Sequence, residues 1–161
     1  MYVNIPGFED YLVGDDGTVI SLKNGLRKIL KQNKIKNGYY VVCLSENGKK
    51  TALYVHKIVA ETFLTNPNDL PVVNHKDGDK SNNSVGNLEF TTYSKNNEHA
   101  YRTGLKPSGE NFYNAKLTEV QAREIKRLGK YGTFQEIADK YGVTKATIRD
   151  IIVGRTWKNI A

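Results

Sequence analysis

From Tyr11 to Ile20, short apolar runs flank an Asp16-Gly17 pair. Glycine tolerates the positive φ of tight hairpins, so the pattern predicts two short strands and a turn. Tyr39 to Leu44, the Asn47-Gly48 pair and Thr51 to Val55 repeat it as a second hairpin. The period then changes. Val55, Ile58, Val59, Thr62 and Phe63 fall at i, i+3, i+4, i+7 and i+8, which predicts a helix with one apolar face. It must stop before Asn66-Pro67, because the residue preceding proline avoids the helical region. His56 lies beside the apolar face and serves a structural or a functional role equally well.

From Pro71 the pattern is short strand (Val72–His75), polar loop (Lys76–Asn83), short strand (Leu88–Thr92), then a helix through Asn96, Asn97, Glu98, His99 and Tyr101. Ser94 is placed as its N-cap, and Glu98 on its solvent side. This strand-loop-strand-helix unit has little hydrophobic content, so polar side chains organised around an ion are one way for it to hold its shape. Residues 106–109 read as a linker. Three short helices follow. Thr118 and Thr133 each open a capping box, Gly142 breaks the second helix, and Thr144 caps a third that runs to about Val153 with Gly154 as its stop. Ile137, Ala138, Val143, Ile148, Ile151 and Ile152 supply a small core.

The chain has 161 residues, of which 39% are hydrophobic, enough for one domain or several small modules. Its net charge is +7. A basic protein is drawn to polyanions, of which nucleic acid is the commonest, although charge alone also fits a protein whose basicity is incidental. The distribution narrows this. Residues 111–161 hold 10 basic against 5 acidic side chains, whereas residues 71–110 balance. No acid falls between Gly17 and Ser45, where Lys23, Arg27, Lys28, Lys31, Lys34 and Lys36 lie. Phosphate contacts from this stretch would supply affinity rather than sequence readout, the alternative being a solvated loop. Cys43, the only cysteine, is placed in the core. With no second cysteine, an intramolecular disulfide and a zinc ribbon are both excluded. The absence of a signal peptide or long apolar run predicts a cytosolic, soluble protein that avoids membranes.

Asn74-His75, Asn87, Asn96 and His99 are the candidates for chemistry. A histidine titrating near neutrality can take a proton from water, and amide and carboxylate oxygens suit Mg²⁺. A strand-end residue such as His75 can face a helix residue such as Asn96 across the unit, and Asn96 and His99 share a helix face. Each residue alone has an ordinary structural reading. In order, however, Val73-Asn74-His75-Lys76-Asp77-Gly78-Asp79, Asn82-Asn83, Asn87-Leu88-Glu89 and Asn96 resemble the HNH motif of group I intron homing endonucleases and related phage nucleases. The run from His56 to Phe63 is similar to the helix that leads into this version of the motif. Ile5-Pro6-Gly7-Phe8-Glu9 with Gly17-Thr18-Val19-Ile20-Ser21 resembles a nuclease-associated modular domain often found in front of it. The resemblance covers residues 4 to about 102. Farther on, Glu136-Ile137-Ala138, Tyr141-Gly142-Val143-Thr144 and Thr147-Ile148 resemble the helix-turn-helix of resolvases and many regulators, and the tail through Trp157 looks like a phage-nuclease ending in which Trp157 packs.

The resemblance implies roles. His75 would be the general base, and Asn74 and Asn96 would hold one divalent ion, Mg²⁺ or Mn²⁺. Asn87 would brace the loop and keep the His75 ring oriented. His99 would be an auxiliary ligand, or a structural or phosphate-facing group; Asp77 and Asp79 would shape the loop. Members of the family often carry Asp at position 74, and an amide ligates less strongly. In the helix-turn-helix, Thr144, Lys145, Thr147 and Arg149 would meet DNA, with Arg102 a further contact.

The expectation is therefore an α+β chain of linked modules: an N-terminal antiparallel β module (1–54), a ββα-metal unit (55–105), a linker (106–115) and a helix-turn-helix (116–161). It would hydrolyse a phosphodiester of double-stranded DNA, as a monomer on an asymmetric site, in the cytoplasm of a phage-infected or bacterial cell. The alternative is a non-catalytic DNA-binding regulator built on a decayed nuclease, which Asn74 keeps open.

Overall fold

Alternation along Tyr40–Glu46 buries Val42 and Leu44 and turns Cys43 outward. The expectation that Cys43 lies in the core is thus corrected: in a strand, successive side chains take opposite faces, and the core claims its two neighbours. The computed structural model describes residues 1–158 and 160. It divides into two compact units, Met1–Ala100 and Tyr101–Ala161.

In the first unit, β1 (Tyr2–Ile5), β2 (Phe8–Gly14), β3 (Val19–Ser21) and β4 (Lys28–Ile29) form an antiparallel sheet in chain order. A second sheet joins β5 (Asn33–Lys34), β6 (Tyr40–Glu46) and β7 (Lys49–Tyr54). Asn47 and Gly48 both take positive φ between β6 and β7, as a twisted two-residue hairpin turn requires. Helix α1 (Val55–Phe63) buries Val55, Ile58 and Val59 of the predicted face, with His56 and Ala60 buried beside them and Thr62 and Phe63 half-buried. Beyond it, the Asn66 side chain donates to the Leu70 carbonyl and accepts from the Leu70 amide, closing the loop. The hairpin β8 (Val72–His75) and β9 (Leu88–Thr91) follows, then α2 (Tyr93–Arg102). The cap of α2 is Thr92, whose Oγ1 accepts from Lys95 N; Ser94, expected there, already lies inside the helix. The β1, β4 and β5 strands were not foreseen, β4 and β5 being two residues each within the basic stretch.

Val13, Val19, Val42, Leu44, Val55, Val59 and Leu88 meet in one core, with Val73 and Phe90 packed against it. Both larger sheets, α1 and the β8–β9 hairpin therefore share their burial, and position 54/55 falls inside that core. The hairpin's few apolar residues are covered by the preceding segments, so burial against them holds it in place.

The second unit contains α3 (Glu119–Leu128), α4 (Phe134–Tyr141) and α5 (Lys145–Ile152). Thr118 and Thr133 complete reciprocal capping boxes with Gln121 and Glu136, and Thr144 Oγ1 accepts from Thr147 N. Gly142 ends α4 at φ 64°, which permits the turn into α5. Ala122, Ile125, Ile137, Ala138, Ile148 and Ile151 are the centre of its core. Trp157 packs on it and lies so close over Gly109 that an added Cβ would approach its ring to 3.0 Å. The Glu110 carboxylate accepts from the Glu119 amide. Part of the segment expected as a linker is thus packed onto the helices.

Candidate active site

His75 ends β8 directly opposite Leu88 of β9, and this pairing sets its place: Leu88 anchors the hairpin in the core while the loop between the strands closes over the ring. His75 is 4% exposed. Its Nε2 lies 3.1 Å from Asn83 Oδ1. Asn83 donates its Nδ2 to the Ser81 carbonyl at 3.3 Å, so its oxygen faces the imidazole. An amide oxygen only accepts; Nε2 therefore carries a proton, and in the neutral ring the lone pair is at Nδ1. Asn83 is in turn held by the first hairpin. The turn at Gly17, with φ 86°, comes so close that an added Cβ would meet Asn83 Cβ at 3.0 Å, and the Asp15 carbonyl accepts from Val85 N at 2.8 Å.

Asn87 organises the loop rather than the ring. Its Nδ2 donates to Asp77 Oδ1 and the Asn82 carbonyl, both at 2.9 Å, and its Oδ1 accepts from Asp77 N at 3.1 Å. Its backbone carbonyl accepts from Lys76 N. The orienting partner of His75 is Asn83, a residue of the motif to which the sequence gives no role of its own; its place at the ring needs the loop's path. The hydrogen bond from Asn82, with Asn87 adding, holds the Asp77 carboxyl below the usual carboxylate range. Asp77 and Asp79 each accept from backbone amides two residues on, as loop formers do.

Asn74 precedes His75 on β8, is 7% exposed, and donates Nδ2 to Glu89 Oε1 at 2.9 Å across the hairpin. No described group donates to its Oδ1. Asn96 lies half-buried on α2. His99 donates Nε2–H to the Lys76 carbonyl at 3.0 Å, tying α2 to the loop. That bond gives His99 a structural task.

A second aromatic layer backs the site. Tyr39 lies 4.7 Å from His56 and 6.0 Å from His75, ring centre to ring centre, and the two histidines are 5.3 Å apart. Lys80 sits over Tyr39 and donates to the Asn37 carbonyl. Burial, with the nearby charges of His75 and Lys57 adding, pushes His56 down to about 4. The unfolded chain then binds a proton at His56 that the folded chain refuses between about pH 6.5 and 4. Stability falls as pH drops through that window, by about 3 kcal/mol at its lower end. Denaturant unfolding at pH 7 and pH 4.5 should show this loss, and His56→Gln should flatten it; an equal slope in the variant would remove His56 as its cause.

The remaining candidates lie on the surface. Arg27, Lys28, Lys31, Lys34 and Lys36 are exposed. Lys23 instead donates to the Ser45 carbonyl, approaches Asp10 at 3.7 Å and lies over the Tyr11 ring. In the second unit, Arg102, Thr144 and Lys145 are exposed, Thr147 is half-buried against Thr144, and Arg149 forks onto Asp150 at 3.0–3.1 Å.

The arrangement has close relatives. The DNA endonuclease I-HmuI of Bacillus phage SP01 is 30% identical over 158 residues, which are 94% of this chain and 88% of that protein. This chain belongs to the HNH homing endonuclease family. Within it, residues 53–98 match the HNH endonuclease model and residues 2–45 the NUMOD4 motif. The solved structure described as DNA binding and cleavage by the HNH homing endonuclease I-HmuI superposes with a TM-score of 0.60 at 28% identity, covering 96% of this chain and 90% of that one. An uncharacterized HNH endonuclease of Acanthamoeba polyphaga mimivirus is 43% identical over 99 residues, 62% of this chain. The chain spans only 29% and 38% of the lengths of that protein and a second mimivirus relative. The HNH match encloses β8, β9 and most of α2, and with them Asn74, His75, Asn83, Asn87 and Asn96.

Proposed function

We propose that this HNH family member is a metal-dependent DNA endonuclease that hydrolyses one phosphodiester per encounter. The observation that carries the reading is the imidazole of His75, whose Nε2 is pinned by Asn83 so that Nδ1 offers its lone pair. Nδ1 takes a proton from water as the water oxygen bonds to phosphorus. The bond from phosphorus to the 3′-oxygen breaks and that oxygen takes up a proton from solvent, leaving 5′-phosphate and 3′-hydroxyl ends. Among the described residues no three His, Cys, Asp or Glu side chains gather to hold an ion. The donor set in this reading is Asn74 Oδ1 with Asn96, hard amide oxygens that suit Mg²⁺ or Mn²⁺ better than a soft metal. Such an ion, when bound, neutralises charge on the scissile phosphate and leaving oxygen. Asn87 keeps the loop in shape, and His99 holds α2 against it.

Residues 1–54 serve two tasks in this reading. Their turns support Asn83, and Arg27, Lys28, Lys31, Lys34 and Lys36 grip phosphates. Lys23 is committed to the protein's own carbonyl and is left out. Residues 55–105 cut. Beyond the segment 106–115, residues 116–161 supply site choice through the helix-turn-helix, with Thr144, Lys145 and Thr147 at the DNA and Arg102 as a backbone contact. Arg149 would first have to leave Asp150. One site per chain makes the monomer a nickase, acting in the cytoplasm of the host cell. Among the described residues no helix is long and apolar enough to cross a membrane.

The division of labour has a direct test. Deleting residues 111–161 should spread the cleavage positions on a mixed-sequence duplex while nicking persists. Unchanged positions in the truncated protein would remove the helix-turn-helix from site choice. Binding should also weaken steeply with salt, because phosphate contacts release counterions.

A further inference from the structure

The proposed ion site has two amide ligands and no formal charge of its own. Hard divalent cations bind best where carboxylate oxygens compensate them, and the partners behind a ligand tune its strength. One carboxylate lies in that position. Glu89 stands opposite Asn74 in the β8–β9 register, and its Oε1 accepts the Asn74 Nδ2 proton at 2.9 Å. Glu89 is exposed, while Asn74 is buried.

We propose that Glu89 is the positioning residue that supplies the negative charge of the ion site, Asn74 and Glu89 acting together as one divided carboxylate. The inference rests on the nuclease reading above. The bond does two things. It commits the Asn74 nitrogen, so the amide cannot flip and only Oδ1 is open to an ion. It also sets a full negative charge one hydrogen bond from that ligand, and by polarising the amide it draws electron density onto Oδ1. The strand pairing makes the geometry reproducible, because directly opposed residues on one hairpin face are always neighbours.

The test is Mn²⁺ binding to the full-length chain, followed by electron paramagnetic resonance of the free ion, which needs no cleavage. Glu89→Gln keeps an oxygen for the Asn74 proton and removes only the charge. It should weaken Mn²⁺ by about 10- to 100-fold with an unchanged thermal midpoint. Asn74→Asp alone sets two carboxylates against each other and should lower the thermal midpoint in the absence of Mn²⁺. The exchange Asn74→Asp with Glu89→Gln reverses the hydrogen bond and restores one charge, and should recover affinity to at least the native level. Native Mn²⁺ affinity in Glu89→Gln overturns the role of Glu89 and leaves the nuclease reading standing. An exchanged variant that binds no better than Glu89→Gln also overturns it. A native chain that binds no Mn²⁺ removes the ion site itself, and this inference with it.

Discussion

His75→Ala should slow DNA cleavage by about 10²–10⁴-fold, the usual share of a general base, with DNA affinity changed little. The two halves of this expectation come from different places. The loss of rate follows from removing an imidazole whose Nε2 is fixed by the Asn83 side chain and whose Nδ1 is left as an acceptor. The retained affinity follows from the exposed basic residues, which lie elsewhere on the chain. Asn83→Ala sharpens the point. It keeps the imidazole and frees its ring, so the rate should fall, though by less than in His75→Ala, while Asn83→Asp, which still accepts from Nε2, should retain more activity than Asn83→Ala. Single-turnover nicking beside gel-shift titration separates the two effects. A His75→Ala protein that nicks at the native rate removes His75 from the chemistry, and an Asn83→Ala protein that does so removes its orienting role.

Leu88→Ala should lower unfolding stability by about 2–5 kcal/mol, as expected when a fully buried leucine is cut back and the cavity only partly collapses. Leu88 is 1% exposed and belongs to the core shared by both sheets and α1. Its strand partner is His75. The loss should therefore appear in activity as well, through a loosened hairpin rather than a missing functional group. Adding EDTA to the native chain should leave the unfolding free energy nearly unchanged, because hydrophobic burial holds the hairpin. Denaturant titrations of both are decisive. A variant as stable as the native chain, or a native chain that unfolds when EDTA is added, would return the folding role to an ion.

The repeating elements were legible wherever side-chain period and turn chemistry agreed. The Asn47-Gly48 hairpin, the apolar face of α1 and the capped helices at Thr118, Thr133 and Thr144 all stand where the pattern sets them. Cys43 went astray because an apolar run hides its own alternation, and only pairing decides which face is buried. Strands of two residues, such as Lys28–Ile29, carry no period at all. Ser94 and Thr92 are chemically equal as caps, and the entry of the chain from β9 chose between them. At the candidate site, His75, Asn74 and Asn96 were visible as residues, and their order carried the family resemblance. Partners joined by the fold were not visible. Asn83 on His75, Glu89 on Asn74 and Gly17 beneath Asn83 arise from strand register and loop path. The salt-bridged state of Lys23 likewise could not be read from a basic stretch, since Asp10 and the Ser45 carbonyl are distant in sequence.

Metal-dependent strand cleavage by this chain is open to a decisive experiment. Its most direct test is incubation with a library of supercoiled plasmids carrying random inserts, in Mg²⁺ or Mn²⁺ and in EDTA, with nicked circles isolated and their ends sequenced. Open circles are expected only with the divalent ion, with 5′-phosphate and 3′-hydroxyl ends at recurring sequences. Salt-sensitive DNA binding without a metal-dependent nick anywhere in the library would contradict it, and would leave the chain a DNA-binding protein on a nuclease fold.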